Sequence, residues 1–192
     1  MEYPEIKERA EQENAEIFWA DETGVDNCEI VERGFAPKGH PPVLPVETKR
    51  VRVNMVSAIS QEGSLRYMIY RDSMNQQKLI EFMSRLIAKS QRKVFLIMDN
   101  LRVHHGKLVS AWLERHKSRI EVFFLPPYAP ECNPDEYLNH GLKLSVHSGE
   151  LPFTADDIVH KMRSYLSSLQ HNPQRLLRFF FHSDVSYCLV AK

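Results

Sequence analysis

The sequence has few cysteines and no pairing pattern among them. Its 192 residues include three, Cys28, Cys132 and Cys188, an odd number spread widely with no CxxC pair. Neither a disulfide framework nor a zinc knuckle is supported. The histidines His104 and His105, and His140 with His147, lack a third ligand at zinc spacing. No apolar run approaches the roughly 18 residues of a membrane span. The opening stretch MEYPEIKERAEQENAE is acidic and polar, the opposite of a signal or transit peptide. These absences predict a protein of the reducing cytoplasm. Glycine numbers only seven and forms no phosphate-cradling loop. No serine or cysteine sits in a nucleophile elbow or a Cys–His setting. With 43% hydrophobic and 26% charged residues, the chain has the balance of a globular protein and the length to bury its own core.

Net charge is zero, yet its distribution is uneven. Residues 1–32 carry eleven Asp and Glu against Lys7 and Arg9, a balance of minus nine, so the remainder carries plus nine. Such asymmetry can conceal a polyanion-binding surface, or can reflect only an acidic, solvated lead-in.

Periodicity sets out the elements. AEIFWAD (15–21) reads as a first strand, and the glycines and prolines of 24–48 as a long loop or irregular hairpin. VRVNMVSAIS (51–60) alternates as a half-buried strand, and a turn at Gly63 returns it into LRYMIYRD (65–72). Leu79, Met83, Leu86 and Ile87 mark an amphipathic helix. KVFLIMD (93–99) and IEVFFLPP (120–127) are continuous apolar runs, predicted as strands buried on both faces. A helix bearing Leu108, Val109, Trp112 and Leu113 separates them. Asn133-Pro134, Thr154 and Asn172-Pro173 each open a further helix. Trp19, Trp112 and Phe179-Phe180-Phe181 read as core rather than as base-stacking platforms. The order predicts an α/β fold, a mixed five-stranded sheet flanked by helices with C-terminal helices appended. That is the ribonuclease H-like plan, although a flavodoxin-like fold shares its second half.

Three acids fall where such a sheet exposes side chains. Asp21 ends the first strand, Asp99 ends KVFLIM, and Glu136 lies in the first turn after Asn133-Pro134. Ligands of α/β sheets collect at the carboxyl ends of strands. Converging carboxylates repel and raise one another's pKa values, a penalty that a hard cation such as Mg²⁺ removes. Two such ions about 4 Å apart could activate water and stabilise a leaving oxygen in phosphodiester cleavage. Each acid also has a plain structural use, as a turn former, a helix cap or a capping-box Glu. Lys38, His40, Lys49, Arg50 and Arg52 cluster in and after the loop, suited either to DNA phosphates or to guarding an edge strand.

The wording around the acids is more specific. Asp21-Glu22-Thr23, Arg33-Gly34-Phe35-Ala36-Pro37-Lys38-Gly39, Ile97-Met98-Asp99-Asn100 with His104, and Leu125-Pro126-Pro127-Tyr128-Ala129-Pro130-Glu131-Cys132-Asn133-Pro134-Asp135-Glu136-Tyr137-Leu138 stand in this order. Over residues 1–150 the chain resembles the DDE catalytic domain of bacterial insertion-sequence transposases, relatives of the mariner elements. Thirty-six residues separate Asp99 from Glu136, which fits the spacing of that group. Many members carry Trp where this chain has Asn139, and Gly141 in the same helix is a poor helix former.

The resemblance implies a ribonuclease H-like fold, with Asp21, Asp99 and Glu136 as catalytic ligands of Mg²⁺, or of Mn²⁺ as a substitute. It implies supporting roles for Asn100 and His104, and DNA contacts from Lys38, Lys49, Arg50 and Arg52. The activity expected is cut-and-paste transposition: metal-dependent hydrolysis at element ends, then strand transfer into target DNA. The alternative is an idle remnant acting as a folded interaction module. The implied organisation is an acidic lead-in (1–14), a catalytic domain (15–150) and a C-terminal helical extension packed on it (151–192). The helix-turn-helix reader of element ends would lie in a separate domain or subunit. A homodimer and a nucleoid-associated place in a bacterial cytoplasm complete the expectation.

Overall fold

The computed structural model describes residues 3–28, 37–40, 50–100, 105–126 and 129–189. Five strands, β1 (Ala15–Asp26), β2 (Arg52–Ser60), β3 (Leu65–Tyr70), β4 (Lys93–Met98) and β5 (Ile120–Phe124), form one sheet in the order β3-β2-β1-β4-β5. β2 runs antiparallel to β1 and β3, whereas β1, β4 and β5 are mutually parallel neighbours. The hairpin turn at Gly63, where φ is +80°, supplies the antiparallel half. The parallel half needs crossovers, and α2 (Gln76–Lys89) and α3 (Lys107–Arg115) provide them. This is the mixed sheet of the ribonuclease H-like plan.

Alternation along the strands sends two sets of side chains to opposite faces. Phe18, Ala20, Val56, Ala58, Leu96 and Met98 pack against Leu79, Phe82, Met83 and Leu86 of α2 and Val109 and Trp112 of α3. Trp19, Met55, Ile59, Phe95 and Ile97 meet α4 (Pro134–His147) and α5 (Ala155–Gln170) through Leu138, Leu142, Ile158, Met162 and Leu166. α1 (Tyr3–Gln12) and α6 (Pro173–Leu177) complete the helices. The C-terminal segment lies on the α4 face. Tyr187 Oη donates to the Cys132 carbonyl at 2.8 Å, and His182 stacks on Tyr137 at 3.9 Å between ring centroids.

Three expectations need correction. β1 continues past Asp21 to Asp26 instead of ending at Asp21, because Arg52–Asn54 on β2 offer it ladder partners. β2 is almost wholly buried rather than half-buried, since helices cover both sheet faces at this central strand. β5 is an edge strand with Phe124 exposed, not one buried on both faces. Its Glu121 is held by Arg9 of α1 at 2.8 Å and by Lys93 at 3.3 Å. Within the Phe179-Phe180-Phe181 run, Phe180 is core, whereas Phe181 is exposed.

Candidate active site

Strand register brings the first two acids together. Trp19 of β1 pairs with Ile97 of β4, and Asp21 and Asp99 each stand two residues beyond that pair. Asp21 shares the face of Trp19, the one that α4 covers. α4 starts where its sequence says it should. Asn133 is the N-cap, its side chain accepting from the Asp135 N–H at 3.1 Å, and Pro134 takes the first helical position. The Nδ2 of Asn133 also donates to the Ala20 carbonyl at 2.9 Å, a buried contact that fixes the helix start beside Asp21.

Glu136 is thereby carried to Asp21. Burial first, and then the Glu136 charge, push the Asp21 carboxyl up to about 7, with Asp99 adding to the rise. The Glu22 backbone N–H and the Asn139 amide oppose it. Asn139 Nδ2 donates to Asp21 Oδ2 at 2.8 Å. Glu136 is also raised, by burial foremost. Asp99 adds to that rise, while Lys143 and a hydrogen bond with the Asp21 carboxyl oppose it. The three acids predicted from sequence therefore form one electrostatic cluster: each of Asp21 and Glu136 feels the other and Asp99. Among the described residues, no group of three or more His, Cys, Asp or Glu side chains is placed so as to hold a metal ion.

A fourth acid lies beneath them. Asp135 is fully buried and its carboxyl stands well above the usual range, chiefly through burial. Ser57, the register partner of Asp21 on β2, donates its hydroxyl to Asp135 Oδ2 at 2.6 Å. The Oδ1 atoms of Asp135 and Asn139 are buried without a hydrogen-bond partner.

The remaining predicted residues divide. Asn100 is exposed and its Oδ1 contacts His105 Nε2. His104 and Lys49 lie outside the described residues. Lys38 is exposed. Arg50 is 71% exposed yet bonded to the buried Asp26 at 2.7 Å. Arg52 Nε donates to Asn54 Oδ1 at 3.1 Å, and its guanidinium lies over Gly24, where a Cβ would meet it at 2.2 Å. Arg50, Arg52 and Lys143 line one cavity of about 360 Å³ with Gly24, Asp26 and Cys28. Sequence reasoning missed the roles of Ser57, Asp135, Asn139 and Lys143. Asn139 and Lys143 had a signal, three and seven residues after Glu136 on the same helix face. Ser57 had none, since its place depends on register.

A family model described as DDE superfamily endonuclease matches residues 16–158. No curated protein matches the sequence. Among solved structures, the mariner Mos1 paired-end complex with Mg is similar, with a TM-score of 0.68 at 17% identity over 91% of this chain and 54% of that one. The catalytic domain of Mos1 mariner transposase gives a TM-score of 0.60 at 16% identity, covering 96% of this chain and 88% of that one. The Mos1 strand transfer complex gives 0.59 at 17% identity, over 96% and 58%. The chain thus spans less than two thirds of the longer Mos1 chains, and likeness at these identities shows the fold.

Proposed function

The chain belongs to the DDE superfamily endonucleases, and from that premise we propose that it is the catalytic domain of a DNA transposase, cutting DNA at element ends and joining them to a target. The observation that supports the reading is the meeting of Asp21 on β1 with Glu136 in the first turn of α4, with Asp99 two residues past the Trp19–Ile97 pair and with Asp21 and Glu136 reluctant to ionise. An idle module would have no use for three acids whose mutual repulsion opposes folding.

The donor set fits Mg²⁺, with Mn²⁺ as substitute: hard carboxylate oxygens, partly buried, whose charge a divalent cation would balance. Bound there, such ions would supply activation of a water or a DNA 3′-hydroxyl and stabilisation of the leaving oxygen. The chain's own residues do the rest. Asp21, Asp99 and Glu136 would hold the cations in their ionised forms, which burial disfavours at Asp21 and Glu136. Lys143 favours the ionised form of Glu136. Lys38, Lys49, Arg50 and Arg52 contact the DNA backbone, where Lys and Arg give affinity without reading sequence. Asn100 and His104 support the Asp99 side of the site.

Reading of element ends belongs to a helix-turn-helix domain or subunit, and paired cutting to a dimer of the assembled protein acting on the bacterial nucleoid. No helix among the described residues is long and apolar enough to cross a membrane. In the test, the chain is incubated with supercoiled plasmid and Mg²⁺ or Mn²⁺. Nicking should occur, require the cation, and vanish in Glu136→Ala while that variant still melts cooperatively. Metal-independent nicking, or nicking that survives the substitution, contradicts the assignment.

A further inference from the structure

Asn139 is an amide in the interior of α4 that is 1% exposed and leaves its own Oδ1 unpartnered. Buried polar groups are ordinarily paired, and an orphaned acceptor costs stability. An apolar side chain at this position would leave no acceptor orphaned, so burial alone does not explain the amide. What it does is donate Nδ2 to Asp21 Oδ2 at 2.8 Å. That donor is neutral. It can orient a carboxylate without cancelling the charge that a cation needs, as a lysine or arginine at the same place would.

The helix bearing Asn139 is fastened to the sheet on either side of Asp21. Asn133 Nδ2 reaches the carbonyl of Ala20, the residue before it, and Ser57, its partner across the ladder, holds Asp135. Both contacts are buried, so the helix has little freedom to rotate or slide about the Asp21–Asn139 bond. Groups that orient a ligand through its second oxygen matter because the ligand then binds without first losing orientational freedom.

Resting on the metal-site reading above, we propose that Asn139 is the positioning residue of the site. It holds Asp21 by Oδ2 in the orientation in which it would bind a cation, with the Ser57–Asp135 contact fixing the helix that carries it. Asn139 touches no reacting atom in this scheme and acts only through Asp21.

The test titrates the full chain with Mg²⁺ alone, reading the melting temperature, and compares wild type with Asn139→Leu, Asn139→Ala, Asn139→Gln and Asp99→Asn. Asn139→Leu, whose side chain is larger than the amide, should need about 10–100-fold more Mg²⁺ for half of the stabilisation, whatever its melting temperature without metal. Asn139→Ala should show the same rise in midpoint from whatever melting temperature it has. Asn139→Gln, which keeps a neutral amide donor, should recover part of the loss. In plasmid nicking, Asn139→Leu should regain most of the wild-type rate at saturating Mg²⁺, with the half-saturating plasmid concentration unchanged. A merely structural role predicts a wild-type Mg²⁺ midpoint in every Asn139 variant, whatever its melting temperature without metal. The two readings fail separately. If wild type and Asp99→Asn respond alike to Mg²⁺, the metal site itself is wrong. If Asp99→Asn loses the response but Asn139→Leu and Asn139→Ala keep the wild-type midpoint, only the positioning role is overturned.

Discussion

Asp21 shows how a single residue can set the conditions under which this fold is stable. Its carboxyl has an ordinary value of 3.8 and rises to about 7 in the folded chain, by burial and by the charges of Glu136 and Asp99. Between these values the folded state binds more protons than the unfolded one, so stability falls as pH rises through that window. Glu136 and Asp135 shift in the same direction and reinforce the trend. Melting temperature measured in chelator should therefore fall from about pH 4 to pH 7, and Asp21→Asn should flatten most of the slope. Saturating Mg²⁺ at pH 7.5 should restore wild type but not Asp21→Asn, because the ions bind the ionised, folded form. A melting temperature that climbs over this range in wild type would show that these acids ionise without penalty.

α4 is the element that organises the site, and Gly141 explains how it can. Glycine in a helix interior costs roughly 1 kcal/mol against alanine, so its presence looks unfavourable from sequence. In the structure a Cβ there would lie 2.4 Å from Tyr165 Oη of α5, so glycine permits the close approach of α4 and α5. Gly141→Ala should destabilise the chain by ~1–3 kcal/mol through overpacking, despite alanine's better helix propensity. Adding Tyr165→Phe, which removes the offending hydroxyl, should recover much of the loss. Chemical denaturation of the two single variants and the double variant checks this. Additive losses would mean that the tyrosine is not the obstacle.

Legibility followed the same division between local and non-local causes. The caps at Asn133 and Thr154 and the apolar run of β4 are local patterns, and the structure carries each one. The burial of β2 and the exposure of β5 depend on position in the sheet, which periodicity does not encode. The extension of β1 to Asp26 depends on a ladder partner that follows a long intervening segment. Ser57 enters the site only through the register that sets it opposite Asp21, and Asn139 stood out in sequence only as a departure from Trp.

For the whole molecule, the minus-nine balance of residues 1–32 and the plus-nine balance of the remainder turn a neutral chain into an asymmetric one. Part of the acidic charge is spent internally: Arg9 and Lys93 hold Glu13 and Glu121, and Arg50 holds Asp26. DNA binding by this chain should be weak, steeply salt-dependent and nearly indifferent to sequence. Arg52→Ala should reduce the salt slope by about one and weaken all sequences alike, whereas a base-reading contact would relax preference at one position. Fluorescence anisotropy on element-end and random duplexes across a salt series distinguishes the two. Tight, salt-insensitive preference for one sequence would mean that a reader lies within these 192 residues.

The central claim is that Asp21, Asp99 and Glu136 are ligands of one divalent-metal site. Crystals of the chain soaked in Mn²⁺ and measured near the manganese edge test it most directly. The account predicts an anomalous peak within about 2.5 Å of oxygens from these three carboxylates, absent from Asp99→Asn crystals soaked alike. A fully occupied peak elsewhere, with the three carboxylates bare, would contradict it.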